Sequence, residues 1–378
     1  MSSNGETKKP YAVIGHDKNF WLYDSQRRLF DLTHPPTPTS DPVSPRFTVE
    51  TTTRPIVINP SKSALLVIDM QNFFLSSAFG RAKGSGHDAC DQLASHAIPA
   101  ARKAGIRVVY VNWGLTQNDL AEMPPSITRA FGFEAELDGA KVALDKHGDV
   151  RFKGGDKQLE DGQAGRKYAG LGHPCGIVPD PVSGRDVDAG KMLMRDQWNT
   201  ALYAPLDGMF EEGRRLGGRP DVWVHKNRMS GLWGGSTPLE QFLEKEGIRT
   251  LFFSGVRPLL SAVVIVLTMP KVNTDQCVSG THMVAFSKGY VKLPCGTSHP
   301  SETRTRSTID RDAHEPTGCS RYAGQRFTDL FRSYDCILLN DGCGTTSPDF
   351  AQQCVEYNAA NTHGFSTTCK AFAEMKKE

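Results

Sequence analysis

Ala64-Leu65-Leu66-Val67-Ile68-Asp69 is a run of five apolar residues closed by a carboxylate. An unbroken apolar run of this length reads as a strand buried on both faces, the pattern of a parallel sheet. Working outward, a helix is predicted over Asp88–Lys103, with Leu93, Ala97, Ile98 and Ala101 on one stripe and Gly105 as its stop. Pro99 falls inside that span and should kink it. Ile106–Val111 is a second strand, Val222–His225 a third that ends at Lys226, and Ile248–Phe253 a fourth. Thr237-Pro238-Leu239-Glu240 marks a helix start: Thr as N-cap, Pro at the first helical position, Glu reaching back as a capping box. Gly247 stops that helix. A helix over Thr274–Lys288, a fifth strand at Cys336–Leu339 and a last helix after Ser347-Pro348 complete the series. Strands alternating with helices imply βαβ units and one parallel sheet, an α/β fold.

The remaining chain is less regular. Residues 1–58 are polar and proline-rich and read as an extended N-terminal arm, with residues 59–378 as the domain proper. Phe20, Trp21, Tyr23 and Phe30 seek cover, so the arm is expected to wrap over its own subunit or a neighbour. Residues 114–220 lack clear periodicity, and Lys141–Gly190 reads as a long surface excursion. Lys plus Arg number 44 against 42 Asp plus Glu, and a net charge of +2 argues against partners held by a strongly basic surface, nucleic acid or anionic membrane. The longest apolar stretch, Leu259–Met269, is too short to span a bilayer. The N-terminus lacks the apolar core of a secretory signal. Nine cysteines without a CxxC pair argue against a disulfide framework and for a reduced compartment, so the expected location is cytoplasmic.

In an open parallel sheet, ligands bind beyond the carboxyl ends of the strands. Asp69, Lys226 and Cys277 all fall at or just past such ends. Singly, each has an ordinary explanation: a turn residue, a solvated charge, a small buried hydrophobe. Together they define a mechanism. Cys277 follows Asn273-Thr274-Asp275, a natural cap, which sets its sulfur in the first helical turn, where the dipole and Lys226 favour thiolate. Asp69 accepts the thiol proton and returns it to a leaving amine. Backbone N–H groups of Asn273, Thr274 and Cys277 are candidates for the oxyanion site. Asn72, Phe74, Trp113 and Trp233 follow strand ends and are candidate substrate contacts. Gly170–Gly176 is a near-miss for a dinucleotide loop that follows no strand, and Cys336, Cys343 and Cys354 lack metal-ligand spacing.

Three motifs, in order, resemble the isochorismatase-like cysteine hydrolases: Val67-Ile68-Asp69-Met70-Gln71-Asn72, then Lys226 ahead of Ser236-Thr237-Pro238-Leu239, then Gly255-Val256 with Asn273-Thr274-Asp275-Gln276-Cys277-Val278. Asp341-Gly342-Cys343-Gly344-Thr345 matches a downstream element of the same family. The resemblance implies a three-layer αβα sandwich with a mainly parallel sheet, and an Asp69-Lys226-Cys277 triad cleaving C–N bonds through a thioester. It also suggests a homo-oligomer. Asn112-Trp113-Gly114-Leu115 lacks the Asp-x-His pair with which the nicotinamidase branch binds metal, so neither metal nor cofactor is expected. The presence of Cys277 favours a small amide, carbamoyl or ureido substrate over a vinyl ether. Lys226–Gly231 is most similar to the ureidoacrylate- and biuret-type amidohydrolase branch. The alternative is a catalytically silent member acting as a binding or scaffold protein.

Two segments interrupt the family pattern. Without residues 257–272, Gly255-Val256 would meet Asn273 directly; without residues 291–334, Tyr290 would meet Asp335. The second segment is rich in Thr, Ser, Arg and Pro and is expected to be disordered or loosely attached. The first matters more, because a nucleophile displaced by ~1 Å loses on the order of 100-fold in rate. Both read as translated introns, and the chain as written is expected to be poorly active. Mass spectrometry of the native protein should then lack peptides from Arg257–Lys271 and Val291–Arg332. Their presence in a protein of ordinary activity would assign both segments to the enzyme.

Overall fold

The computed structural model describes residues 11–16, 19–41, 43–153, 169–234, 236–255, 277–287, 333–345 and 349–378. Its centre is a six-stranded sheet built from β1 (Ser63–Ile68), β2 (Arg107–Trp113), β3 (Val222–Lys226), β4 (Thr250–Gly255), β5 (Asp335–Cys343) and β6 (Phe365–Thr367). The spatial order is β3-β2-β1-β4-β5-β6, and every pairing is parallel. β1 alternates between two cores: Ala64, Leu66 and Ile68 face one, Leu65 and Val67 the other. On the second face lie α1 (Ser85–Gln92) and α2 (Ile98–Ala104). On the first lie α3 (Pro238–Lys245) and α4 (Cys277–Ser287), which bury Leu239, Leu243, Val278 and Ala285. Helices on both faces of a parallel sheet make three αβα layers, which is why β1 carries no polar face.

The kink expected at Pro99 takes a specific form. A π-turn, Leu93–Ala97, separates α1 from α2, and the Ile98 N–H reaches back five residues to the Leu93 carbonyl. Proline lacks the N–H that would bond the Ser95 carbonyl, and its ring crowds that oxygen; the wider turn accommodates both. Gly105 closes α2 in the left-handed region, φ +80°. At α3, Thr237 accepts from Glu240 N at 3.2 Å, but the Glu240 carboxylate accepts from Ser236 N at 2.9 Å, one residue before the position the capping box requires.

The irregular reading of residues 114–220 is corrected. Helices Gln117–Ala121, Pro125–Phe131 and Leu206–Gly213 lie there, as does a hairpin of Phe133–Leu137 with Ala140–Leu144. Asp138 and Gly139 form its two-residue turn, both at positive φ (52° and 75°), as an Asp-Gly hairpin turn requires. Val142, Ala143 and Leu144 are buried, so Lys141–Gly190 is not wholly a surface excursion.

The N-terminal arm runs as five short strands, Tyr11–His16, Asn19–Asp24, Leu29–Asp31, Phe47–Val49 and Ile56–Ile58, which join Lys376–Lys377 in a second six-stranded sheet. It lies against its own subunit. Trp21 and Phe30 each pack on Phe365 with ring centroids 5.4 Å apart. Asp335, at the start of β5, takes hydrogen bonds from Trp21 Nε1 (2.7 Å) and Thr250 Oγ1 (2.7 Å) and pairs with His34 Nε2 (2.6 Å). Residues 257–272 and 291–332 lie outside the described residues. Tyr334, assigned from sequence to the second interrupting segment, is buried in the core.

No described helix is long and apolar enough to cross a membrane. All seven described cysteines are free, and six are buried. Burial pushes the thiols of Cys90, Cys175 and Cys277 up to about 12 from 9.0, and those of Cys336, Cys343 and Cys369 also upward. The folded chain therefore holds protons that the unfolded chain has released above pH 9. This contribution to stability is complete below pH 9 and lost as pH rises through the folded values, by up to ~1.4 kcal/mol per pH unit per thiol. Denaturant midpoints should fall between about pH 8 and about pH 10.5. An unchanged midpoint would contradict the burial of these thiols.

Candidate active site

The sheet order reverses between β1 and β4, the kind of switch point beyond whose carboxyl ends open parallel sheets bind ligands. Asp69 immediately follows β1, Lys226 is the last residue of β3, and Cys277 is the first described residue of the helix after β4. Lys226 pairs in register with Trp113 at the end of β2. Its side chain crosses the indole, Nζ 4.0 Å from the ring centroid, a cation–π contact that carries the ammonium toward β1. There Nζ lies 3.1 Å from Asp69 Oδ2 and 3.6 Å from Cys277 Sγ. It also donates to the carbonyls of Arg228 and Met229, each at 3.2 Å. The three residues proposed from sequence thus converge.

Asp69, Lys226 and Cys277 are respectively 1%, 3% and 4% exposed. Burial raises the Asp69 carboxyl above its ordinary value, partly offset by the Lys226 ammonium beside it and by the neighbouring Cys277 thiol. Burial likewise raises the Cys277 thiol to about 12; Lys226 lowers it, and Asp69 adds to the rise. One ammonium faces two groups that can each carry a negative charge. The intrinsically stronger acid takes it, so the resting state is carboxylate, ammonium and thiol. The thiolate expected at Cys277 from its helix position is corrected accordingly: the helix start was visible in the sequence, but its burial beside a carboxylate was not. A raised carboxyl is also a better base toward that thiol.

Backbone detail fixes these side chains. Asp69 N donates to Val111 O at 3.1 Å, one step past the β1–β2 ladder, and the chain then turns through φ +58° at Asp69. This left-handed conformation is uncommon outside glycine but several-fold more accessible to Asp. Gly255 ends β4 at φ +146°, where a Cβ would stand 2.2 Å from the Ile68 carbonyl oxygen. Only glycine lets the ends of β1 and β4 approach so closely.

Residues not foreseen complete the frame. Gln71 clamps the end of β2: its Nε2 donates to Trp113 O and Thr200 O, both at 2.8 Å, while its Oε1 accepts from Trp113 N at 3.1 Å. Thr281 Oγ1 donates to Cys277 O (2.7 Å) and accepts from Gly231 N (3.2 Å), tying the helix of Cys277 to the loop after Lys226. Met229 Sδ sits 4.0 Å from Cys277 Sγ. Of the other sequence candidates, Trp113 supports Lys226. Asn72 donates instead to Trp198 O at 3.0 Å, and Phe74 packs edge-on against Phe73 in the core, 5.1 Å between centroids. Trp233 is exposed and lines a cavity that reaches Met229. Asn273 and Thr274 lie outside the described residues. Among the described residues, no three His, Cys, Asp or Glu side chains gather as a metal would need.

No protein-family model and no curated protein matches the chain. Among solved structures it is similar to an isochorismatase family protein from Desulfovibrio vulgaris subsp. vulgaris str. Hildenborough (15% identity, 83% of this chain and 97% of that one covered, TM-score 0.40). It is also similar to a cysteine hydrolase from Pseudomonas syringae pv. phaseolicola 1448A (14% identity, 84% and 93% covered, TM-score 0.42). A third is N-carbamoylsarcosine amidase from Thermoplasma acidophilum (16% identity, 82% and 96% covered, TM-score 0.39).

Proposed function

We propose that the chain hydrolyses a C–N bond of a small amide, carbamoyl or ureido compound through a thioester on Cys277. The observation that carries this reading is one buried ammonium, Lys226, in contact with both a carboxylate and a thiol at the carboxyl ends of a parallel sheet. Asp69 takes the Cys277 proton as Sγ attacks the substrate carbonyl, and Lys226 compensates the charge on sulfur. The tetrahedral intermediate collapses, the C–N bond breaks, and Asp69 returns the proton to the departing nitrogen. A water then attacks the thioester, giving its proton to Asp69. The acid product leaves, and Asp69 reprotonates the Cys277 sulfur. No step requires a cofactor. The sequence of Lys226–Gly231 supports a ureido or carbamoyl substrate within this class.

Release of ammonia or amine from a panel of amides, ureas and carbamoyl compounds tests the proposal. Turnover by the wild-type chain that disappears in Cys277→Ala supports it. No release from any compound, either by this chain or by one lacking residues 257–272 and 291–334, would favour the alternative, a binding or scaffold role.

A further inference from the structure

Lys226 is held from two sides. Its Nζ faces Asp69 Oδ2 and Cys277 Sγ on one, at 3.1 Å and 3.6 Å, and the carbonyls of Arg228 and Met229 on the other, each at 3.2 Å. An ammonium has only three N–H groups to share among such partners, so where the two carbonyls stand decides how it faces the acid and the thiol. Both carbonyls belong to the short loop after β3, and that loop is tied to the helix Gln117–Ala121 and the residue that follows it. Asn227 Nδ2 donates to Asp119 Oδ1 at 2.6 Å, and the Arg228 guanidinium donates to Glu122 O at 2.9 Å and to Asn227 O at 2.8 Å. Asp119 is itself fixed. Its Oδ2 accepts from Thr116 N (2.8 Å) and Thr116 Oγ1 (2.6 Å), while Thr116 Oγ1 accepts from Asp119 N (3.2 Å), a capping box at the start of that helix. One carboxylate oxygen thus serves the helix and the other serves the loop. Thr116 lies just beyond β2, and Asn227 directly follows β3, so the clamp joins the two strand ends that carry Trp113 and Lys226.

We infer that Asp119 is a positioning residue for the reaction: by holding Asn227 it sets the Arg228 and Met229 carbonyls, and these aim the Lys226 ammonium at Asp69 and Cys277. This rests on the reading of Lys226 as the charge that serves that pair. An opposite charge within a few ångströms makes a carboxyl easier to ionise, typically by about 1–3 pH units. With the loop released, Nζ loses its fixed approach, and Asp69, buried and deprived of part of its counter-charge, becomes a harder group to ionise.

The test reads Asp69 directly. The full chain, labelled with carbon-13 at its aspartate carboxyls, is titrated by NMR, and the Asp69 signal is identified by its loss in Asp69→Asn. In Asn227→Ala, which alters no charge, the Asp69 midpoint should rise by about 0.5–1 pH unit. Asp119→Ala should raise it as far, and the two changes together no further than either alone, because they break the same bond. The exchange Asp119→Asn/Asn227→Asp reverses donor and acceptor at unchanged net charge and should bring the midpoint back toward wild type. A residue that only capped its own helix would gain nothing from the change at position 227. Asn227 is exposed and Asp119 half-buried, so the variants should fold. A midpoint unmoved or lowered in Asn227→Ala overturns the inference, as does one that stays raised in the exchanged pair. The two readings fail separately. An unmoved midpoint alongside Cys277-dependent hydrolysis removes only the clamp, whereas a shifted midpoint without hydrolysis removes only the enzyme.

Discussion

Replacing Cys277 by alanine should lower amide hydrolysis by at least ~10⁴-fold, because a residue on which covalent chemistry depends has no substitute within its own constellation. The fold should survive. The change deletes one sulfur from a well-packed site, and Thr281 still accepts from Gly231 N and donates to the backbone carbonyl of residue 277. Asp69→Asn should be comparably inactive for a different reason. Its amide cannot accept the thiol proton, and it leaves Lys226 buried without its counter-charge, so lower stability is expected as well, by about 3–5 kcal/mol. In the wild type the pH dependence follows from the carboxyl. Asp69 must be ionised to act as base, and burial raises it above 3.8. Activity should therefore be lost as pH falls through a value above 3.8. An acid limb unchanged in Asp69→Asn would place the base elsewhere.

The second large effect lies at the opposite end of the sheet. Asp335→Ala should destabilise the protein by about 3–5 kcal/mol, the cost of breaking a buried pair from one side. The change removes the partner of His34, Trp21 Nε1 and Thr250 Oγ1 together, and with it the polar anchor between the arm and β5. Burial opposes ionisation of Asp335, but His34 and the hydrogen bonds from Trp21 and Thr250 outweigh it and hold the carboxyl below its ordinary 3.8. Its contribution is thus present above pH 3.8 and lost as pH falls through the folded value. Chemical denaturation of Asp335→Ala against wild type near neutral pH measures the effect; a difference under ~1 kcal/mol would show the anchor to be dispensable.

What could be read from sequence divides along physical lines. β1, β2 and β4 are long apolar runs because both faces are buried, and burial on both faces is visible in composition. β6 is three residues, too short for any pattern. The arm's sheet is closed partly by Lys376–Lys377, a pairing more than three hundred residues distant that no local signal encodes. The hairpin at Asp138-Gly139 carried a local signal that the charged, glycine-rich texture around it obscured.

The site follows the same logic. Asp69, Lys226 and Cys277 were legible because strand ends in a parallel sheet converge, so position along the chain implied position in space. Gln71, Met229 and Thr281 act by touching residues far away in sequence. The protonation state of Cys277 depends on burial and on a neighbouring carboxylate, neither of which a helix-start motif reports.

The central claim is a covalent intermediate on one sulfur. Mixing the full chain with an activated ester or amide of a small acid, quenching in acid and mapping the peptides by mass spectrometry reads it directly. The prediction is an acyl adduct on Cys277 that appears within the first turnover, decays as product forms, and is absent from Cys277→Ala. An adduct confined to another cysteine, or product formation undiminished in Cys277→Ala, would contradict it.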